Sequence, residues 1–326
     1  MSDLAAVVTV TLNPAIDQTL HIPGFHAGQV NRVESSRVDA GGKGINVASV
    51  LADLGVPVTA TGFLGDANLA LFESYFQQKK ISDRLVRIPG ATRTGIKIVD
   101  AEAGETTDIN FPGLTPGADD VERLMGALRL CAAPGRWFVL SGSLPPGLSP
   151  DLYSRLMAEI RSQGGRIVLD TSGEPLHQAL PHAPEIVKPN LSELEELAGH
   201  ALPTPQAVVA AAASLVRNGV ALAVVSMGAQ GAIFASREAA VLARPPKVQV
   251  KSTVGAGDAM VAGLVYAQLK GLGLEATARL ATALGAYSVT RFGAGVDLEQ
   301  LHGLEQQVQV ENAGAEAMPA AARNGD

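Results

Sequence analysis

Short apolar runs alternate with segments of helical spacing along most of the chain. The runs place Val, Ile and Leu on consecutive positions, which is typical of strands buried on both faces of a parallel sheet. The segments between them repeat apolar residues with the period of an amphipathic helix. The alternation therefore predicts a doubly wound α/β fold, a mostly parallel sheet flanked by helices. The predicted strands are 5–12, 58–63, 137–140, 166–170, 185–187 and 222–226; the predicted helices are 44–54, 68–79, 150–162, two across 191–217, 257–270, 275–290 and 298–308.

Two stretches depart from this alternation. Residues 92–111 contain two runs of alternating apolar and polar residues around the turn-like DAEAGE, which predicts an antiparallel hairpin. Residues 20–38 contain further strand-like pieces without helical spacing. The pattern alone leaves two interpretations open: a small β-sheet that forms a lid over a site, or an extension of one edge of the main sheet.

The domain organisation follows from these patterns. We expect one α/β domain over residues 1–310, with lid strands from about 13–40 and 90–112 inserted into it. From residue 311 the sequence ENAGAEAMPAAARNGD loses all periodicity, and the segment 311–326 is expected to be a disordered tail.

Composition excludes several classes of protein. Hydrophobic residues make up 47% and charged residues 17%, which favours a compact globular chain. The formal charge of −7 and the lack of a basic run argue against nucleic-acid binding. Cys131 is the only cysteine, which excludes intrachain disulfides and cysteine metal clusters. With neither a long apolar run nor a signal-peptide pattern, we expect a cytoplasmic protein that does not associate with membranes.

Small polar residues, glycines and charges follow several predicted strands. Because parallel strands end at one edge of a sheet and ligands bind there, these segments predict a shared site. They are NPAID (13–17), SGSLP (141–145), DTSGE (170–174), KPN (188–190) and SMGAQG (226–231).

The strongest local feature is STVGAGD, at 252–258, which opens an apolar helix. Unpaired N–H groups and the helix dipole make such a helix start a favourable place for an anion. Asp258 has two interpretations from physics alone. It can complement the dipole as a capping residue, or it can act as a general base beside a bound phosphate.

A second glycine cluster, AGGKGIN at 40–46, also leads into a helix. Gly41 and Gly42 would allow the backbone to approach a ligand closely, and Lys43 supplies a cation. The cluster is not a P-loop, and the GxGxxG and HExxH motifs are absent from the sequence. A phosphate-handling site therefore needs support from elsewhere in the chain.

These segments together resemble the ribokinase-like (PfkB) carbohydrate kinases, from about residue 7 to residue 304. STVGAGD matches the C-terminal signature of that family and AGGKGIN matches the N-terminal one, with NPAID, SGSLPPG, KPNLSELEEL and SMGAQGA in order between them. TLNPAID, AGGKGINVA, FLG (63–65) and TDINFPG (107–113) are most similar to bacterial members that act on fructose 1-phosphate. Members that act on tagatose 6-phosphate share much of the AGGKG pattern.

The resemblance implies roles for individual residues, with ATP and Mg²⁺ as cofactors. Asp258 would be the catalytic base, Gly255, Ala256 and Gly257 the anion hole, and Lys43 a source of phosphate charge. The implied sugar-phosphate pocket consists of Asp17, Gly41, Gly42, Asn46, Arg93, Ser141 and Asp258. The implied ATP contacts are Lys188, Asn190, Ser226, Gly228, Gly231, Ser252, Thr253, Gly255, Gly257 and Ser288. Glu193 and Asn190 would hold the metal through water. Glu193 could instead be a charged residue that suits the first turn of a helix. Arg93 and Lys43 could instead be solvated residues on the surface.

The resemblance also implies the reaction and a partner. We expect ATP and D-fructose 1-phosphate to give ADP and D-fructose 1,6-bisphosphate, by in-line transfer to the C6 hydroxyl. Tagatose 6-phosphate and fructose 6-phosphate are alternative substrates, and a non-catalytic sugar or nucleotide sensor on a kinase fold is a remote alternative. The lid is expected to pair with the lid of a second copy in a homodimer.

Overall fold

The structure is a computed structural model that describes residues 6–291 and 295–314. Its strands are β1 Val7–Thr11, β2 Ala15–His21, β3 Ser35–Gly41, β4 Val58–Gly65, β5 Ser82–Ile88, β6 Thr94–Asp100, β7 Glu105–Asn110, β8 Trp137–Ser141, β9 Arg166–Asp170, β10 Ile186–Val187, β11 Leu222–Ser226, β12 Ala232–Ser236, β13 Ala240–Arg244 and β14 Gln309–Asn312. Its α-helices are α1 Lys43–Asp53, α2 Ala70–Lys79, α3 Ala118–Cys131, α4 Leu152–Ser162, α5 Gly173–Ala179, α6 Leu191–Ala198, α7 Pro205–Arg217, α8 Ala256–Leu269, α9 Leu274–Val289 and α10 Leu298–Gln307.

The main sheet has ten strands in the order β14-β13-β12-β11-β10-β9-β8-β1-β4-β5. All neighbours from β11 to β5 pair in parallel, whereas β11–β12, β12–β13 and β13–β14 are antiparallel. The mostly parallel sheet is therefore confirmed, with an antiparallel extension at one edge that the apolar pattern did not predict.

Apolar side chains pack on both faces of this sheet, as the double winding requires. Val7 and Val139 point into one core, which is completed by α1, α2, α8, α9 and α10. Val8 and Phe138 point into the other, which is completed by helices α3 to α7. Successive residues of a strand face opposite sides, so a run that is apolar at consecutive positions supplies both cores at once.

Several helices begin at residues that suit a helix start. Asn190 accepts a hydrogen bond from the backbone N–H of Glu193 at the start of α6, and Thr204 accepts one from Ala207 at the start of α7. Helix α8 begins instead after a glycine and is buried on nearly all sides, with every residue from Ala259 to Val265 buried. No helix in the described part of the chain is long and apolar enough to cross a membrane.

A separate four-stranded sheet has the order β3-β2-β6-β7. The predicted hairpin is its β6–β7 pair, and β2 pairs with β6 in parallel. These strands do not pair with the main sheet, so the edge-extension interpretation is wrong. We call this small sheet the lid.

The predicted boundary of the tail needs a correction. Residues 311 and 312 belong to β14, which pairs with β13, because Val310 and its neighbours continue the antiparallel edge of the main sheet. The rest of the expected tail, 315–326, lies outside the described residues.

Candidate active site

The lid, the carboxyl ends of the parallel strands and the first turns of α1 and α8 enclose a cavity of about 410 Å³. The cavity lies at the sheet edge that the strand-end segments predicted. Its walls are Ala15, Asp17, Gly42, Lys43, Asn46, Arg93, Lys97, Asp170, Lys188, Asn190, Glu193, Ser226, Val254, Gly255, Gly257 and Asp258.

Asp258 lies in the first turn of α8, where its side chain is 6% exposed. No side chain caps this helix, and the Asp258 carboxylate instead accepts a hydrogen bond of 2.8 Å from Nδ2 of Asn46 on α1. Burial, and next the negative charge of Asp170, raise the pKa of Asp258 to about 6, against the opposing effects of Asn46, Lys43 and Lys188. A carboxylate with a raised pKa in a cavity has the character of a general base rather than of a cap.

The backbone at the start of α8 would allow a ligand to approach it closely. Gly255 precedes the helix at φ 78°, a left-handed conformation that favours glycine. No side chain caps the helix, and the N–H of Ala256 makes only a long hydrogen bond, of 3.4 Å, to the carbonyl oxygen of Thr253, so the N–H groups of Ala256 and Gly257 begin the helix without a side-chain cap. Together with the helix dipole, they fit the predicted anion hole.

The glycines before α1 are required by their neighbours. A Cβ atom at Gly41 would lie 2.1 Å from Oδ2 of Asp17, so a side chain there would displace that carboxylate. Gly42 has φ 120°, and its Cβ would lie 2.8 Å from Cγ2 of Thr11. Burial raises the pKa of Asp17, although Lys97 and Arg93 act in the opposite direction. Gly41 thus acts indirectly, by leaving room for the Asp17 carboxylate.

Asp170, at the end of β9, lies between two lysines. Its Oδ1 is 3.3 Å from Nζ of Lys188 and its Oδ2 is 3.5 Å from Nζ of Lys43. Asp170 is 1% exposed, as is expected only of a carboxylate with charged partners. Burial acts to lower the pKa of Lys43, but attraction to Asp170 and Asp258 outweighs it and raises that pKa. Asp170 was not assigned an individual role from the sequence, although its segment DTSGE (170–174) was expected at this sheet edge because it follows a predicted strand.

A second cavity, of about 500 Å³, adjoins the first at Arg93. Nε of Arg93 donates to Oδ1 of Asn13 at 3.1 Å, and Nδ2 of Asn13 donates to Oγ of Ser143 at 3.2 Å. Ser143 lines this cavity, whereas the predicted Ser141 is fully buried within β8 and its hydroxyl has no hydrogen-bond partner. The structure thus does not bring Ser141 to the cavity, because β8 extends one residue further than predicted.

The expected nucleotide and metal residues are only partly brought together. Lys188, Asn190 and Ser226 line the main cavity, and Ser252 and Ser288 line an adjoining cavity of about 340 Å³ that also contacts Gly255. Other expected ATP contacts lie outside the walls of both cavities, namely Gly228, Gly231 and Thr253.

Asn190 and Glu193 bond reciprocally at the start of α6. The N–H of Asn190 donates to Oε2 of Glu193, and the N–H of Glu193 donates to Oδ1 of Asn190, both at 2.8 Å. Within residues 6–291 and 295–314, no group of three or more His, Cys, Asp or Glu side chains could hold a metal. Mg²⁺ commonly keeps several waters and binds one or two carboxylates and the substrate phosphates. The Glu193 carboxylate, which lines the cavity, fits such a water-bridged ion.

A family model described as "pfkB family carbohydrate kinase" matches residues 4–301. The chain belongs to this family. The match spans both the lid and the parallel part of the main sheet, so the resemblance found from the sequence motifs is confirmed. For a pfkB kinase, ATP is the phosphate donor.

Proteins named 1-phosphofructokinase are similar to this pfkB kinase over most of its length. The protein from Rhodobacter capsulatus is 49% identical, over 88% of this chain and 91% of the relative. The protein from Escherichia coli strain K12 is 41% identical, over 94% of this chain and 98% of the relative.

Solved structures of phosphofructokinases share the fold of this pfkB kinase. Phosphofructokinase-2 from Escherichia coli in complex with fructose-6-phosphate has a TM-score of 0.86 and 30% identity, covering 93% of this chain and 99% of that chain. A Staphylococcus aureus structure described as a phosphofructokinase has a TM-score of 0.80 and 29% identity, covering 94% and 98%. The ribokinase-like architecture with a small separate sheet is thereby confirmed.

Proposed function

We propose that this chain is a 1-phosphofructokinase, which transfers the γ-phosphoryl group of ATP to the C6 hydroxyl of D-fructose 1-phosphate. Its family and its curated relatives support this activity. The observation that carries the proposal is the buried Asp258 carboxylate at the start of α8, in one cavity with Arg93 and Lys97 of the lid side. Asp258 and the anion-binding start of α8 lie on one wall of this cavity, and Arg93 and Lys97, the cations proposed for the phosphate of the sugar, lie on another.

The proposed reaction is one in-line displacement. Asp258 takes the proton of the C6 hydroxyl as its oxygen forms a bond to the γ-phosphorus, and the bond from that phosphorus to the β-phosphate oxygen breaks to release ADP. The N–H groups of Ala256 and Gly257 and the ammonium of Lys43 stabilise the charge on the transferring group. No covalent intermediate with the protein is required.

Mg²⁺ is part of the proposal. When bound, it would neutralise charge on the nucleotide phosphates. Glu193 and Asn190 would hold it through water, while Lys188 stays paired with Asp170 beside the same phosphates. Because ATP is the donor, we place the reaction in the cytoplasm.

The alternative substrates are fructose 6-phosphate and tagatose 6-phosphate. The Escherichia coli structure with fructose-6-phosphate favours the first of these as a second candidate. A substrate panel tests the proposal: kcat/KM is measured for the three sugar phosphates with ATP and Mg²⁺. The highest kcat/KM is expected for fructose 1-phosphate. A higher value for either 6-phosphate would overturn the substrate assignment, and no turnover of any of them would favour the sensor interpretation.

We further propose that the lid pairs with the lid of a second copy. The strand register places Val38, Gln18, Ile96 and Ile109 in one row across the four strands, on the face opposite Asp17 and Lys97. Val38 and Ile109 are 48% and 45% exposed, which is unusual for apolar side chains that share one row of a sheet. Burial of this row against its copy would remove it from water. One Escherichia coli phosphofructokinase-2 structure is described as tetrameric.

A further inference from the structure

We propose that Asn13 is a positioning residue that fixes the Arg93 guanidinium for the phosphate carried by the incoming sugar. The inference rests on the proposed function, because it needs a sugar substrate that is already phosphorylated. It assigns a role to the loop between β1 and β2, in which Asn13 lies, and to Gly113 beyond the end of β7.

The first step is the orientation of the Asn13 amide. Nε of Arg93 carries a hydrogen and can only donate, so the Asn13 atom 3.1 Å away must be the carbonyl oxygen Oδ1. The Asn13 amino group then faces Ser143, whose Oγ accepts at 3.2 Å. Arg93 and Ser143 therefore hold the amide from both ends, and the amide in turn restricts rotation of the guanidinium.

The second step concerns the N–H groups of Arg93 that the bond to Asn13 does not use. An arginine has five N–H donors, and the bond to Asn13 uses the one on Nε. Among the residues that the structure describes, the two terminal nitrogens of Arg93 have no hydrogen-bond acceptor, and Arg93 lines both the 410 Å³ and the 500 Å³ cavities. Two terminal nitrogens in a fixed plane match two oxygens of a phosphate ester.

The third step is the close approach of Gly113. A Cβ atom at this position would lie 2.3 Å from Oδ1 of Asn13, the atom that accepts from Arg93. Gly113 does not have a left-handed φ, so alanine is compatible with its backbone and its effect falls on Asn13. Gly113→Ala therefore displaces the Asn13 amide while every polar group remains in the protein.

The experiment compares Asn13→Ala and Gly113→Ala with the wild type. KM and kcat are measured for fructose 1-phosphate and for ATP. A hydrogen bond to a charged group is worth about 10- to 100-fold in affinity. Both variants are expected to raise the KM for fructose 1-phosphate by about tenfold or more, with the KM for ATP within about twofold. Asn218→Ala, at the end of α7 and away from both cavities, is the matched control.

A double-mutant cycle separates positioning from a structural role. In an Arg93→Ala background, Asn13→Ala is expected to have almost no further effect on the KM for fructose 1-phosphate, because the group that it orients is gone. The same loss in both backgrounds would overturn the inference, as would an unchanged KM in both single variants. If Asn13→Ala does not fold, the cycle is run with Gly113→Ala. A wild type inactive on every sugar phosphate would instead refute the proposed function.

Discussion

Replacement of Asp258 by asparagine is expected to stabilise the substrate-free protein at neutral pH while it removes most of the activity. The pKa of Asp258 is raised from 3.8 to about 6, first by burial and then by Asp170. Each pKa unit corresponds to about 1.36 kcal/mol, so the ionised carboxylate destabilises the folded state by about 3 kcal/mol. The introduced amide would carry no charge and would keep a polar group beside Asn46.

The sign of the pH dependence follows from the raised pKa. Between about pH 4 and about pH 6 the folded state binds this proton more strongly than the unfolded state does, so the wild type loses stability as the pH rises. An amide does not titrate there. The stability difference between Asp258→Asn and the wild type should therefore be smallest near pH 4 and reach its full value of about 3 kcal/mol near pH 7.

The assay is urea unfolding of both proteins without ligand at several pH values, because bound substrates would themselves add stability. Glu238→Gln, in the exposed turn between β12 and β13, is the control, and its effect on the free energy of unfolding at pH 7 should be small. The kcat of Asp258→Asn should fall by about 10²- to 10⁴-fold. A variant that is no more stable than the wild type at pH 7 would refute the argument that burial of this charge raises its pKa.

Three further outcomes are expected. The kcat/KM for fructose 1-phosphate should fall below about pH 6 as Asp258 becomes protonated. Because the charge of Asp170 raises the pKa of Asp258, Asp170→Asn should move this fall to lower pH. An unchanged pH profile would show that Asp170 does not influence the pKa of the catalytic group. Ile109→Lys, in the exposed row of the lid, should convert a dimer to a monomer in sedimentation velocity, and an unchanged mass would exclude pairing through this face. Gly263→Ala should lower the free energy of unfolding in urea by about 1–3 kcal/mol, because its Cβ would lie 2.8 Å from Cα of Ala281, where α8 packs against α9. A variant as stable as the wild type would show that the two helices can move apart without loss of stability.

The sequence alone located the edge of the sheet where the cavity lies. Strand ends and helix starts are local features, and glycines at 41, 42, 255 and 257 mark places where the chain turns or passes close to other atoms. The role of Asp258 stayed open at that level, because capping and general base catalysis require the same residue at the same position. Its hydrogen bond to Asn46, which is distant in sequence, favours the second role.

Asp170 shows which part of the site could not be predicted: its segment, 170–174, was expected at this sheet edge, but its pairing with two lysines was not. Its importance comes from Lys43 and Lys188, which belong to two other segments of the chain and meet only at the edge of the folded sheet. No local pattern distinguishes this aspartate from one that ends a turn. The difference between Ser141 and Ser143 has a similar cause, since one residue of strand length decides which of two serines is buried.

The antiparallel edge was also beyond the sequence pattern. Strands β12 and β13 are five residues each and are joined by a turn without the Asn-Gly or Asp-Gly signal, so their pairing depends on the sheet that is already present beside them. In the sheet, strands β11, β10, β9 and β8 separate this edge from β1, the strand that leads to the lid. Most residues that line the main cavity could therefore be predicted although part of the sheet was missed.

The distribution of charge explains how a protein of net charge −7 can bind two phosphorylated substrates. The cations are divided between two walls of one cavity: Lys43 and Lys188 lie beside the base, whereas Arg93 and Lys97 lie on the lid side. Attraction between opposite charges is strong only at short range in salt, so local placement outweighs the net charge. A sugar without a phosphate would lose its contact with the lid-side pair but would still reach the base. We therefore expect the phosphate on the sugar to determine affinity through the lid side, while the rate of transfer depends on Asp258.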